Sequence, residues 1–184
     1  KNGAAGKVEL AGFPYHSLDS YLPKLVRAGQ RVAVCEQLED PKNSKGIVKR
    51  GVKELITPGV SANEKTLDSR SNNYLASIFE SKSIIGIAFT DLSTGEFLVA
   101  QGNQIYIEKL IKSIRPTETI ISKNYRKKFS NNFGEDFYTY PIDPWFFEEE
   151  YSKEQLFKHF NTETLKGFGI SHMNESIVAA GAII

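Results

Sequence analysis

Apolar positions recur at helical spacing first at Leu18, Tyr21, Leu22, Leu25 and Val26, which predicts one short amphipathic helix. Ser17 or Asp19 is placed to cap its start, and Gly29 to end it in a left-handed conformation. Pro23 is accommodated only near a first turn, where backbone N–H groups lack intrahelical partners anyway, so the start stays open by several residues. Alternation then takes over. Arg31 to Glu36 reads as a strand, Gln37 to Ser44 as a polar connection with a turn signal at Asp40-Pro41, and Ile47 to Ile56 as a second strand. Thr57-Pro58-Gly59 ends this small α/β layer. Ahead of it, Lys1 to Lys7 is a Gly-containing polar lead-in, and Val8 to Leu10 has the makings of a short strand.

Asn63 to Asn73 carries a single large apolar side chain, Leu67, and serves best as a polar connection between two packed units. The expected division is therefore a first unit over 1–60, a linker over 61–73 and a second unit over 74–184. In the second unit Tyr74 to Phe79, Ile84 to Leu92 and Phe97 to Ala100 read as three strands joined by polar turns. Asn103 can cap a helix with Ile107, Leu110, Ile111 and Ile114 on one face and a Glu108–Lys112 pair on the other, and Pro116 stops it. Glu118 to Ser122 is then a short buried strand, Asn124 to Glu135 a basic helix and loop, and Phe137 to Tyr140 a further strand. Asp143-Pro144 predicts a helix start, and Ser152 with Gln155, at capping-box spacing, predicts another that ends near Asn161. The run from Asn174 onward is helical. Antiparallel strands followed by alternating helix and strand predict an α/β class with a ribonuclease H-like layer.

Composition is that of an ordinary globular protein, and the net charge of +1 conceals an asymmetry. Residues 1–60 hold 10 Lys and Arg against 6 Asp and Glu, whereas 61–184 hold 13 against 16, so an anionic partner should prefer the first unit. One cysteine, Cys35, rules out an intramolecular disulfide; its apolar strand predicts a core position. With no charged-then-apolar leader and no long apolar span, the expected location is cytoplasmic with no membrane partner. A first residue of Lys1 and a final apolar run, IVAAGAII, read as a piece of something larger.

Five phrases carry a family signal: AGFPYH at Ala11 to His16, YLPKLVRAG at Tyr21 to Gly29, VAVCEQLEDP at Val32 to Pro41, KGIVKR at Lys45 to Arg50 and TPGV at Thr57 to Val60. In this order and spacing they resemble the end of the mismatch-recognition domain of the MutS family of DNA mismatch repair proteins. The resemblance continues more loosely through NNYLASIF, DLSTGEF at Asp91 to Phe97, RPTE at Arg115 to Glu118 and LKGFGI at Leu165 to Ile170, and so covers essentially the whole chain. It implies a small mixed α/β remnant followed by a ribonuclease H-like connector domain. It further implies a parent that binds mismatched double-stranded DNA as a MutS homodimer, uses ATP and magnesium in distant domains and recruits MutL. The resemblance places the family's Phe-x-Glu wedge ahead of this stretch, and the nearest aromatic, Phe13, does not match it. No Gly-rich phosphate loop followed by Gly-Lys-Ser or Gly-Lys-Thr is found, so no cofactor is expected in this stretch itself.

The candidate chemistry is sparse. Lys42, Lys45, Lys49, Arg50 and Lys53 form a run without acidic interruption whose charges can contact phosphates, or equally be a solvated strand and loop; Lys45, Lys49 and Arg50 are the favoured contacts. Tyr15 and His16 can stack or hydrogen-bond at a nucleic-acid surface, or fix a turn and cap the helix. On the helix from Ser152 the polar side carries Lys153, Glu154, Gln155, Lys158 and His159. The resemblance implies that this region docks MutL, with Glu154 and Gln155 the favoured contacts. Asp91 shares a strand face with Ile85, Ile87 and Phe89 and is the one residue that suggests a metal-dependent nuclease. Its position before Ser-Thr-Gly favours a turn role, and no spaced second and third carboxylates accompany it. The expectation is a non-catalytic chain, with the Asp91 nuclease as the alternative. Neither a metal site nor a nucleophile arrangement is expected, because His16, His159, His172 and Cys35 lack ligand spacing.

Overall fold

In the first unit the helix forms where the apolar spacing places it: α1 spans Leu18–Arg27 and follows a 3-10 turn at Tyr15–Ser17. The structure is a computed structural model that describes residues 11–40, 46–60 and 72–184. Leu22 and Val26 of α1 pack with Ile56 and with the partly buried Leu18, Val32 and Val34. Gly29 follows the helix at φ 76°. Pro23 departs from expectation by lying inside the helix, beyond its first turn. Its missing N–H removes one helical hydrogen bond, a cost offset by burial of Leu22 and Val26 on the face beside it.

β1, Val32–Gln37, and β2, Arg50–Ile56, pair antiparallel with an irregularity between Val34 and Cys35. Among the described residues α1 covers one side of this pair, so Val32, Val34 and Glu36 are half-buried while the alternate positions are open. Cys35 falls on the open side and is exposed, which overturns the core position expected from its apolar neighbours. β2 also starts later than the alternation suggests, leaving Ile47 97% exposed ahead of it. The expected strand at Val8 to Leu10, Lys42 and Lys45 of the basic run, and most of the expected linker lie outside the described residues.

The second unit is built on one five-stranded sheet of order β5-β4-β3-β6-β7. β3, Tyr74–Ser81, β4, Ile84–Asp91, and β5, Glu96–Gly102, form the antiparallel meander that the hydrophobic pattern predicts. Asn103 caps α2, Gln104–Ile114, by accepting from the Tyr106 N–H at 3.0 Å, and β6, Glu118–Ser122, returns parallel to β3. α3, Arg126–Phe133, leads to β7, Thr139–Ile142, parallel to β6. β7 starts beyond Phe137, whose ring packs edge-on against Phe129 instead of joining the ladder. This strand order and direction is the ribonuclease H-like arrangement.

Two helices then close the far side. The start expected at Asp143-Pro144 is a 3-10 turn over Pro144–Phe147, and α4 spans Glu149–Phe160, so Ser152 is interior rather than a cap. Its hydroxyl is buried and donates to the Val178 carbonyl oxygen at 3.3 Å, a use that the Ser-x-x-Gln spacing cannot distinguish from capping. α5, Asn174–Gly181, lies across β3 and β4, and a Cβ on Gly86 of β4 would come within 2.0 Å of the Glu175 carbonyl carbon. Only glycine permits that approach. The sheet is thus buried on both faces: Ile78, Ile85, Ile87 and Phe89 meet Ile107, Ile111, Phe129 and Phe133 of α2 and α3, while Ala88 meets Leu156, Ile177 and Ala180 of α4 and α5.

Candidate DNA-facing, partner-facing and inter-unit sites

The described part of the basic run, Lys49, Arg50 and Lys53, is exposed. Lys49 sits 3.4 Å from Glu39, and Lys53 donates to Glu36 at 2.8 Å across the β1–β2 ladder. The hydrogen bond to Glu36, then its charge, holds the Lys53 ammonium above its ordinary pKa, and the Tyr15 hydroxyl adds in the same direction. Arg50 opens β2 opposite Gln37 and is exposed. Exposed pairs of this kind contribute little to stability, so a phosphate can replace a carboxylate at modest cost. Tyr15 is 75% exposed and His16 is also exposed; neither caps α1, and the 3-10 turn is instead closed by the Ser17 N–H donating to the Pro14 carbonyl oxygen at 2.9 Å.

Glu154 and Gln155 lie on α4 in the second unit, Glu154 exposed and Gln155 half-buried, while Lys153 is tied to Glu149 one turn earlier. They belong to a different body from the basic strand.

Asp91 ends β4 fully buried. Its Oδ1 accepts from the Ser93 N–H at 2.9 Å and the Ser93 hydroxyl at 2.6 Å, and its Oδ2 accepts from the Asn73 N–H at 3.0 Å. Burial pushes the carboxyl pKa up, but these hydrogen bonds outweigh it and hold the group below the usual carboxylate range. Oδ1 is thus engaged in fixing the β4–β5 turn, and Oδ2 in tying it to the residue ahead of β3. Among the described residues no group of three or more His, Cys, Asp and Glu could hold a metal ion. No helix among them is long and apolar enough to cross a membrane.

The cluster that pattern reading does not foresee lies between the units. Glu118, the first residue of β6, is 1% exposed, and its Oε2 accepts from the Thr57 hydroxyl at 2.5 Å and the Gly59 N–H at 3.1 Å. Arg31 stands 3.8 Å from Oε1 and lies over the Tyr140 ring, its Cζ 3.2 Å from the centroid. Asn73 donates to the Pro58 carbonyl oxygen at 2.9 Å and accepts from the Thr117 hydroxyl at 2.7 Å. A Cβ on Gly59 would fall 2.9 Å from both the Leu75 Cδ1 and the Glu118 Cβ. One signal for this cluster was present in the sequence: a carboxylate opening an otherwise buried strand needs a partner from elsewhere.

Set beside known proteins, the chain matches the family description MutS domain I over residues 1–65 and MutS domain II over residues 73–184. It is 53% identical over 184 residues to a protein of Christiangramia forsetii named DNA mismatch repair protein MutS. Proteins of the same name from Flavobacterium johnsoniae, over 186 residues, and Cytophaga hutchinsonii, over 183, are each 54% identical. All of this chain is covered in each case, and it spans 21% of the length of each of these relatives. With one family domain matched at each end and the ribonuclease H-like sheet in the second, the chain belongs to the MutS family.

Proposed function

We propose that this chain supplies the later part of a mismatch-recognition domain and the connector domain of a protein that binds mismatched double-stranded DNA. The basic strand grips the duplex backbone without reading sequence. Lys45, Lys49 and Arg50 contact phosphates, with Tyr15 and His16 at the same surface, while α4 docks the MutL partner through Glu154 and Gln155. No chemistry is carried out here; ATP and magnesium act elsewhere in the parent homodimer. The observation that carries this reading is the likeness, over all of this chain and 21% of each relative, to proteins named for mismatch repair, at 53% and 54% identity. It is supported by the exposed cations Lys49, just ahead of β2, and Lys53 within it, and by the engaged oxygens of Asp91.

The test uses the full-length protein and a heteroduplex with one mispair. Lys49→Ala with Arg50→Ala should weaken binding and flatten its dependence on salt by about 0.9 log unit per log unit for each phosphate no longer neutralised. Glu154→Arg with Gln155→Ala should lose MutL capture and leave DNA affinity unchanged. An unaltered salt slope in the first variant would refute the backbone grip. Magnesium-dependent cleavage abolished by Asp91→Ala would establish the nuclease instead.

A further inference from the structure

Two phrases distant in sequence, Thr57-Pro58-Gly59 and Arg115-Pro116-Thr117-Glu118, meet around one buried carboxylate. We propose that Glu118 is an inter-unit latch, a positioning residue that fixes the orientation of the basic strand relative to the connector and can let it go. Three observations point the same way. Both hydrogen-bonding partners of Glu118 Oε2 come from the first unit, whereas Glu118 itself begins a strand held on both sides in the second. Gly59 is packed so closely on Leu75 and Glu118 that the turn has a single seat. Arg31, at the entrance to β1, reaches the same carboxylate while stacking on Tyr140 of β7, so the first unit is held at two points rather than one.

Chemistry explains why the joint is polar. Directional bonds to a carboxylate specify one angle between the units, which an apolar contact of the same area does not. They also make release cheap. On separation Glu118, Arg31 and Thr57 are rehydrated, whereas an apolar seat would expose its whole surface to water. The latch therefore holds one orientation without a large barrier to leaving it, which suits a joint between a DNA-gripping strand and a partner-docking helix.

The experiment measures the distance between spin labels at Val52→Cys on β2 and Ile105→Cys on α2, both exposed, in the full-length protein with other reactive cysteines replaced. The unmodified latch should give one narrow distribution. Thr57→Val, which keeps shape and removes the donor, should lower the docked-to-undocked ratio roughly tenfold and broaden the distribution. Glu118→Gln, which removes the charge facing Arg31 and one of the two carboxylate oxygens, should broaden it as well, and the two together should broaden it by less than the sum, because both act on one connected network. Thr57→Val lies outside the connector core, so it decides the matter if Glu118→Gln misfolds. A Thr57→Val distribution as narrow as the parent's would overturn the latch, and so would fully additive broadening in the double variant. Neither result depends on DNA, so failure of the latch and failure of the proposed function are separately visible.

Discussion

Asp91 shows how one carboxylate can be fully employed without chemistry. It accepts from Ser93 twice and from Asn73 once, and it is fully buried. Asp91→Ala leaves those donors without their acceptor, which should cost about 1–3 kcal/mol, read as a lower urea midpoint at neutral pH. The pH dependence has a definite sign. Because the folded carboxyl sits below its ordinary value, its stabilisation is complete above about pH 4 and disappears as pH falls through the folded pKa. Stability of the parent should therefore drop toward acid more steeply than that of Asp91→Ala, and the two should converge. A gap that stays constant down to about pH 2 would mean that hydrogen bonding to the ionised form is not what the residue supplies.

At the scale of elements, what could be read in advance was what is local. Asn103 is legible as a cap because its acceptor serves an N–H three residues on, and the alternation of β3, β4 and β5 is legible because each strand is packed on a face. Cys35 was not, since burial of a strand face depends on what covers it, and among the described residues α1 covers the other side. Ser152 misled because Ser-x-x-Gln also occurs inside helices, and only the arrival of α5 decides its use. Glu118 was out of reach as well: its Thr57 donor is 61 positions away. The same limit hides Gly86, which looks like a weak point in a strand and is instead the seat of α5. Gly86→Ala places a methyl where the Glu175 backbone stands, so α5 must lift from β4. The expected loss is at least about 1–3 kcal/mol, with a lower melting temperature and increased binding of a hydrophobic dye. An unchanged melting temperature would show that α5 does not rest on β4 as described.

Across the whole molecule the two units differ in how much core holds them, and that difference sets how the chain opens. Among the described residues the first unit rests on Leu22, Val26 and Ile56 against one helix, whereas β4 is packed between helices on both faces and its Ile85, Ile87, Ala88 and Phe89 are at most 1% exposed. A two-stranded ladder with so small a core is marginal alone and is expected to open locally far more often than a central strand of a five-stranded sheet. Native-state hydrogen exchange should therefore find the amides of β1 and β2 exchanging orders of magnitude faster than those of β3 and β4. Breaking the joint at Glu118 should widen that gap from one side only. In Thr57→Val the first unit loses part of its anchor and its amides accelerate, while β4, whose protection comes from Ile107, Ile111, Phe129 and the helix above Gly86, keeps its rate. Equal rates in the two units, or acceleration of β4 together with β2, would mean that the chain unfolds as a single cooperative body. The Thr57–Glu118 hydrogen bond would then be part of one core and not a joint between two.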